Sequence, residues 1–392
     1  MANARALTGD VLVIGAGPAG LASAHYLQRA GIAYTVVDRA SEVASTWAGL
    51  YRSLRLNTAS FVTYLPGQRM PIGTPIYPSG EQLYRYLVDY ARRGNFHLCM
   101  DTEVKRVAPA EGGWRVESSA GERIFPCVIC ASGRFGQPII PPVPGLGDFR
   151  GRVLHARDYH TPQPFAGQRV LVVGAGPSGV DIALELAGCA ATPVALSVRH
   201  DMVVARRYPY GLPDTAWHLI ARSVLPRAQR KPFLDRVLFQ PFPDAAQSGV
   251  PMARNRTDRR GTSTPVRGRA ILDAFRSGII QPVAGIARFE PDAAVTDAGE
   301  RIAADVVIMA TGYRPDFRYL EIRYETDTQG YPLRADSLDE GGSTEVLGHP
   351  GLYMVGRYYR GLGPLNNIRH EARTAVAEIQ AWLSALARVG ER

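Results

Sequence analysis

Two glycine turns of identical spacing constrain this chain more than any other feature. The first lies in 10-DVLVIGAGPAGLASAHYLQRAGIAYTVVDR-39, and the second in 170-VLVVGAGPSGVDIALELAG-188, which is followed by 194-VALSV-198. Each reads as apolar strand, GxGxxG turn, helix and second strand, the local plan of a dinucleotide-binding unit. Gly15 permits the tight turn, Gly17 lets the backbone approach a pyrophosphate, and Gly20 allows close helix–strand packing; Gly174, Gly176 and Gly179 repeat the spacing. The N-terminus of the following helix offers unpaired N–H groups to the anion. A lone GxGxxG can be no more than a glycine-rich turn. Two copies far apart, each in strand–turn–helix context, imply two bound dinucleotides.

The copies differ where a ribose would sit. The position 23 residues after the first glycine is Asp38 in one copy and Ser197 in the other, where Arg199 and His200 follow. A carboxylate at this place accepts hydrogen bonds from ribose hydroxyls, whereas its loss removes repulsion toward a 2′-phosphate and a nearby Arg supplies a planar charged donor. The second copy therefore favours NADPH over NADH. The competing reading of Arg199 is a solvated side chain in an arginine-rich protein: of 45 Lys and Arg, only Lys105 and Lys231 are lysines.

Composition narrows the class. With 392 residues, 46% hydrophobic and 21% charged, the chain is long enough for two or three folded domains. Its longest apolar runs, such as 305-DVVIMA-310, fall far short of the ~20 residues that span a bilayer. The N-terminus lacks the pattern of a secretory signal, so a cytoplasmic protein without stable membrane insertion is expected. The formal net charge of +9 is spread along the chain with no interleaved aromatic motif, so no nucleic-acid partner is expected. No metal site is expected. Cys127 and Cys130 have redox-motif spacing, but they lie in the apolar stretch 126-PCVICASG-133. Residues three apart in a strand face opposite sides, so these thiols read as buried and structural.

Two further apolar strands, in 128-VICASGRF-135 and 305-DVVIMATGYRPDF-317, end in small-residue turns that read as crossover points between domains. The proline-rich stretches 138-PIIPPVPG-145 and 161-TPQPF-165 bracket the passage into the second copy. The expected order is an FAD-binding domain opened by residues 1–160, an NADPH-binding domain over 161–300, and a return to the FAD-binding domain over 301–392. The strand around 305–312, the stretch 351-GLYMVGRYYRGLG-363 and an Ala-rich helix from about Asn366 are expected to complete the first domain.

Between the two glycine turns, 149-FRGRVLHARDY-159 fits FxGxxxHxxxY through Phe149, Gly151, His155 and Tyr159. Here the chain resembles the flavin-containing monooxygenases. The resemblance covers nearly the whole length, through the two turns, Trp47, Ala310-Thr311-Gly312-Tyr313 and Arg360-Gly361-Leu362. It implies an α/β fold with two Rossmann-like dinucleotide-binding domains, a discontinuous FAD domain and a helical insertion in the NADPH domain. It implies FAD and NADPH as cofactors, and insertion of one oxygen atom from O2 into a small organic substrate through a flavin C4a-hydroperoxide. Cofactor-binding positions are then Gly15, Gly17, Ala19, Gly20, Asp38, Arg39, Trp47, Gly174, Gly176, Ser178, Gly179, Arg199, His200, Thr311 and Gly312. Asn57, in 51-YRSLRLNTAS-60, matches a flavin-adjacent asparagine whose amide offers both a donor and an acceptor; an Asx-turn or capping role is the plainer alternative. His155 is read as holding the linker rather than as a catalytic group.

The chain departs from that pattern in places. It has Ala44-Ser45-Thr46-Trp47 where such proteins often have Gly-Gly-x-Trp, and Gly176-Pro177-Ser178-Gly179 where they often have Gly-Asn-Ser-Gly. Its length, 262-TSTPV-266 and 276-RSGII-280 resemble the compact plant YUCCA-type enzymes, which oxidatively decarboxylate a 2-keto acid. Asn57 inclines the reading to N- or S-oxygenation, with Baeyer–Villiger or 2-keto-acid chemistry as the alternative. Residues from about 206 to 260, with Tyr208, Tyr210, Trp217, Phe233, Phe239 and Phe242, are expected to form a substrate lid or a helical satellite core. A peripheral membrane helix at 216-AWHLIARSVL-225 is a weaker reading. Rival functions are a disulfide reductase, which needs an exposed reactive cysteine pair, and a redox-sensing flavoprotein without productive oxygen transfer.

Overall fold

Val11–Ile14 and Val170–Val173, the strands that lead into the two glycine turns, each occupy the centre of a five-stranded parallel sheet. This computed structural model describes residues 7–240, 242–250, 265–335, 342–357 and 361–390. Some of the sequence discussed above lies outside them: residues 251–260 of the expected lid, 262–264 and Arg360. The chain forms two compact units, one from residues 1–48, 58–137 and 313–392, the other from 49–57 and 138–312.

In the first unit the strand order is Leu352–Met354, Cys127–Cys130, Val11–Ile14, Tyr34–Val37 and Leu98–Cys99, every neighbour parallel. Val11–Ile14, Tyr34–Val37 and Cys127–Cys130 are buried at every residue, as strands covered on both faces are, which is why they read as unbroken apolar runs. Helices Pro18–Arg29, Gly80–Gly94 and Pro364–Gly390 belong to this unit. Ser79 starts the middle one with a reciprocal cap: its side chain accepts from Gln82 N–H at 3.1 Å, and Gln82 Oε1 accepts from Ser79 N–H at 2.8 Å. The last helix carries the buried Glu371, which takes the Arg334 guanidinium at 2.8 Å and the Gly356 N–H at 2.6 Å. It thereby fixes the turn that lies over Ala19: a Cβ added at Gly356 would stand 3.0 Å from that of Ala19.

The second unit repeats the plan with the order Ile280–Val283, Val194–Ser197, Val170–Val173, Val306–Met309 and Arg152–His155. In both sheets the strand after the glycine turn lies on one side of the central strand and a later strand returns on the other. A crevice opens at such a switch point, outside the carboxyl ends of the strands.

The expected placing of the 305–312 strand is corrected here. Val306–Met309 pairs with Val170–Val173 and Arg152–His155 in the second sheet, and Leu352–Met354 alone returns to the first. The expected boundaries at 160 and 300 shift with it. Arg152–His155 is an edge strand of the second sheet, so the chain passes between units at 137/138 and 312/313. Each passage directly follows the small-residue turn that ends a returning strand.

Of the described residues between 206 and 260, Asp214–Val224 and Arg227–Leu238 are helices. Trp217 joins them, edge-on to Tyr210 at 5.8 Å and tilted against Phe233 at 6.1 Å, with its Nε1–H donating to Pro209 O at 2.9 Å. Phe242 is buried under Arg206, whose guanidinium lies 4.6 Å from the ring centroid. Among the described residues no helix is long and apolar enough to cross a membrane.

Candidate functional site

The two glycine turns are built alike. Gly15 has φ +110° and Gly174 φ +111°, a region that L-residues avoid. A Cβ would stand 2.5 Å from Ala131 O at the first and 2.6 Å from Ala310 O at the second. Gly20 and Gly179 are tighter still, with a Cβ 1.8 Å from Gly15 O and 1.9 Å from Gly174 O. Gly17 and Gly176 behave in the opposite way: a Cβ at either would meet no protein atom within 4 Å.

That open space faces uncapped helix termini. Gly17 and Gly176 are the N-caps of Pro18–Arg29 and Pro177–Leu186, neither helix has a side-chain cap, and neither has an acidic residue in its first turn. Proline at the first helical position gives up only an N–H that would have had no intrahelical partner. Both turns therefore present positive backbone dipole into unfilled space, and the residues present fit a dinucleotide diphosphate.

Around the first turn, Asp38 accepts from Ala16 N–H at 2.7 Å through Oδ2 and from Ala40 N–H at 2.9 Å through Oδ1. The carboxylate grips the glycine turn, and each oxygen keeps a second lone pair. Ala19 is buried against Gly356, whereas Arg39 is exposed. Trp47 is half-buried on the short helix Ser45–Ala48. Ala44 opens that helix with φ +55° and donates to Ala16 O at 3.1 Å. The backbone here keeps the left-handed step that glycine favours, at an alanine.

Around the second turn, Ser197 is buried and its Oγ donates to Ala284 O at 2.9 Å. Arg199 and His200 are next to each other in space, with Arg199 Nε donating to His200 Nε2 at 3.1 Å. Arg199 has no carboxylate partner among the described residues, so its terminal nitrogens are uncommitted. Ser178 is the second residue of the helix, half-buried. Further along the same helix, Asp181 Oδ2 accepts from the Tyr51 hydroxyl at 2.9 Å.

Thr311 and Gly312 secure the linker, and a Cβ at Gly312 would meet no protein atom within 4 Å. Thr311 Oγ1 donates to Ile139 O, while Gly312 O receives Ile139 N–H at 3.0 Å and His155 Nε2 at 3.1 Å. His155 Nδ1 accepts from Arg157 N–H at 3.1 Å, so the ring proton sits on Nε2. Burial lowers the pKa of this 2%-exposed imidazole and keeps it neutral. Both ring nitrogens of His155 are spent on backbone.

Asn57 is half-buried and its amide makes no hydrogen bond among the described residues. It lies in the second unit, and the chain rejoins the first at Thr58.

Sequence reasoning missed two features. Ala131-Ser132-Gly133 and Ala310-Thr311-Gly312 are equivalent turns, each putting an alanine carbonyl against the first glycine of a fingerprint and each ending in a glycine of positive φ. Their near-identity is an internal repeat that comparing the two halves would have exposed. The second is the pair Asp181 and Glu185, one turn apart on an otherwise apolar helix. Burial pushes the Asp181 carboxyl up to about 6, against the Tyr51 hydrogen bond and the nearby Arg207.

The thiols are unsuited to disulfide exchange. Cys127 and Cys130 are buried strand residues whose pKa burial pushes up to about 12, and the attacking species in such exchange is the thiolate. All four cysteines are free.

Two parallel sheets with a dinucleotide turn at each switch point define an oxidoreductase with two nucleotide sites. Residues 12–213 match the family model for pyridine nucleotide-disulphide oxidoreductases. YUCCA8 of Arabidopsis thaliana, a probable indole-3-pyruvate monooxygenase, is 31% identical over 381 residues, covering 90% of this chain and 84% of that one. The solved flavin-containing monooxygenase from Stenotrophomonas maltophilia superposes with a TM-score of 0.71 at 26% identity, over 96% of this chain and 99% of that chain. A bacillithiol disulfide reductase from Staphylococcus aureus shares the fold, with a TM-score of 0.67 at 17% identity over 95% and 98% of the two chains. The chain belongs to the flavin-containing monooxygenases of the pyridine nucleotide-disulphide oxidoreductase family, and is an FAD- and NADPH-dependent monooxygenase with YUCCA-like similarity.

Proposed function

We propose that this monooxygenase oxidatively decarboxylates a 2-oxo acid. The observation that carries the reading is the 31% identity, over 90% of the chain, to a protein named for indole-3-pyruvate. The balanced reaction converts R–CO–COOH, O2, NADPH and a proton into R–COOH, CO2, water and NADP+. N- or S-oxygenation is the second reading. It rests on the match of Asn57 to a flavin-adjacent asparagine alone, because an amide that does not titrate near neutrality leaves carbonyl attack open as well.

FAD is assigned to the first turn and NADPH to the second, with the helical region from 206 as the substrate lid. The bound flavin supplies two-electron activation of O2 after hydride transfer from NADPH. The protein supplies position. The N–H groups after Gly17 and Gly176 hold the two diphosphates, Asp38 turns its remaining lone pairs to the ribose of FAD, and Arg199 meets the 2′-phosphate of NADPH. Asn57 would offer a donor and an acceptor to the oxygen chemistry, discouraging loss of oxygen as hydrogen peroxide. His155 stays neutral and positions the linker.

Turnover with 18O2 and a panel of 2-oxo acids, ketones, amines and sulfides, read by mass spectrometry, tests the substrate class. One labelled oxygen in a carboxylic acid shortened by one carbon is the expected result. Label found only in N-oxides or sulfoxides selects the second reading. Asn57→Ala is expected to keep FAD and NADPH oxidation while releasing several-fold more hydrogen peroxide per NADPH. Unchanged peroxide yield in that variant removes Asn57 from the oxygen chemistry.

A further inference from the structure

Residues 49–57 are an excursion of the chain into the second unit, with residues up to Ala48 and from Thr58 belonging to the first. The excursion is fastened at several points, and the fastenings converge on one helix. Tyr51, 5% exposed, sits in the core of the second unit with its ring 6.4 Å from that of Tyr159. Its hydroxyl donates to Asp181 Oδ2 at 2.9 Å. Ser53 Oγ donates to Glu185 Oε2 at 2.6 Å, an oxygen that also receives Tyr159 Oη at 3.1 Å. Arg52 N–H adds a backbone bond to His160 O at 3.1 Å.

Ser178, Asp181 and Glu185 all lie on Pro177–Leu186, the helix whose N-terminus forms the second glycine turn. Ser178 is only two residues past Gly176, so its N–H and hydroxyl are at the place where a diphosphate would be held. Asp181, which holds the Tyr51 hydroxyl, follows three residues later on the same helix. The downstream end of the same excursion is Asn57.

We infer that Tyr51 is a positioning residue: through Asp181 it ties the segment ending at Asn57 to the helix that forms the NADPH turn, so that nucleotide binding orders that segment. The inference rests on the assignments of the second turn to NADPH and of Asn57 to the oxygen chemistry. Its physical content is local. A phosphate held at the N-terminus of Pro177–Leu186 steadies that helix and with it the Asp181 carboxylate that Tyr51 grips, and the Tyr51 ring is too well buried to move independently.

Hydrogen exchange of the FAD-loaded full chain, with and without NADP+, reads the tie directly. In the wild-type protein NADP+ is expected to slow exchange at 177–182 and also at 51–57. Tyr51→Phe, which keeps the ring in the core, is expected to retain the slowing at 177–182 and lose it at 51–57. The same variant is expected to raise peroxide release per NADPH several-fold with NADPH affinity within about twofold. Asp181→Ala breaks the tie from the helix side and is expected to act likewise, and Asp181→Asn, which keeps an acceptor for Tyr51, is expected to restore the response. Absence of slowing at 51–57 in the wild-type protein overturns the inference, as does its persistence in both Tyr51→Phe and Asp181→Ala. If Asn57→Ala leaves peroxide release unchanged while Tyr51→Phe still removes the slowing at 51–57, the tie stands and the role of Asn57 falls.

Discussion

Gly17→Val is expected to give a folded protein without flavin. A Cβ at Gly17 would meet no protein atom within 4 Å, and its φ of −80° suits any residue. The polypeptide therefore has no reason to reject valine. The diphosphate does, because the branched side chain fills the space in front of the uncapped helix terminus and holds the anion away from the N–H groups. The absorbance ratio of flavin to protein should fall to background, while circular dichroism and thermal midpoint stay near wild-type values. Gly20→Ala is the control of opposite sign. Its Cβ would stand 1.8 Å from Gly15 O, so it should cost folding itself. Full FAD occupancy in Gly17→Val would remove the first turn from cofactor binding, and an unfolded Gly17→Val would contradict the open space the structure shows there.

Arg199→Ala is expected to separate the two nicotinamide cofactors. Arg199 is placed after a buried Ser197 that is committed to Ala284 O, so no carboxylate stands at the ribose position to repel a 2′-phosphate. Loss of one charge-assisted contact of this kind costs ~1.5–3 kcal/mol, or about 10- to 150-fold in the NADPH concentration needed for half-maximal flavin reduction. The response to NADH should change by less than about twofold. Stopped-flow reduction with both cofactors checks it. Equal penalties for NADPH and NADH would mean that Arg199 supports the turn rather than the phosphate, for instance through its contact with His200.

The features of the fold legible in the sequence are those whose requirements are local. Gly15 and Gly20 are dictated by backbone approaches within a few residues and one neighbouring strand, so their spacing carries the turn, the helix and the flanking strands with it. The membership of Val306–Met309 was not legible in this way. An apolar four-residue strand ending in a small-residue turn suits either sheet, and Cys127–Cys130 and Val306–Met309 are interchangeable by pattern; only the pairing of Val306–Met309 with Val170–Val173 decides between them. Thr311 and Gly312 were singled out through the resemblance of Ala310-Thr311-Gly312-Tyr313, and their hydrogen bonds to Ile139 and His155, which tie the turn to residues far back in the chain, were not legible from it. The Tyr51–Asp181 bond spans residues separated by 130 positions, and nothing in either local sequence announces the other. That separation also hid the fact that Asn57 belongs to the second unit.

The weaving of the chain orders events during synthesis. Residues 138–312 emerge from the ribosome with all five strands of their sheet present, whereas the first sheet lacks Leu352–Met354 until well after that unit is made. Until then Cys127–Cys130 is an uncovered edge made wholly of apolar side chains, the kind of edge that recruits foreign strands. A nascent chain of this protein thus holds a finished nucleotide unit beside an open, sticky half, and any premature stop before residue 352 leaves that half permanently open. Truncation before residue 352 is therefore expected to give insoluble protein, a consequence of the position of a single three-residue strand.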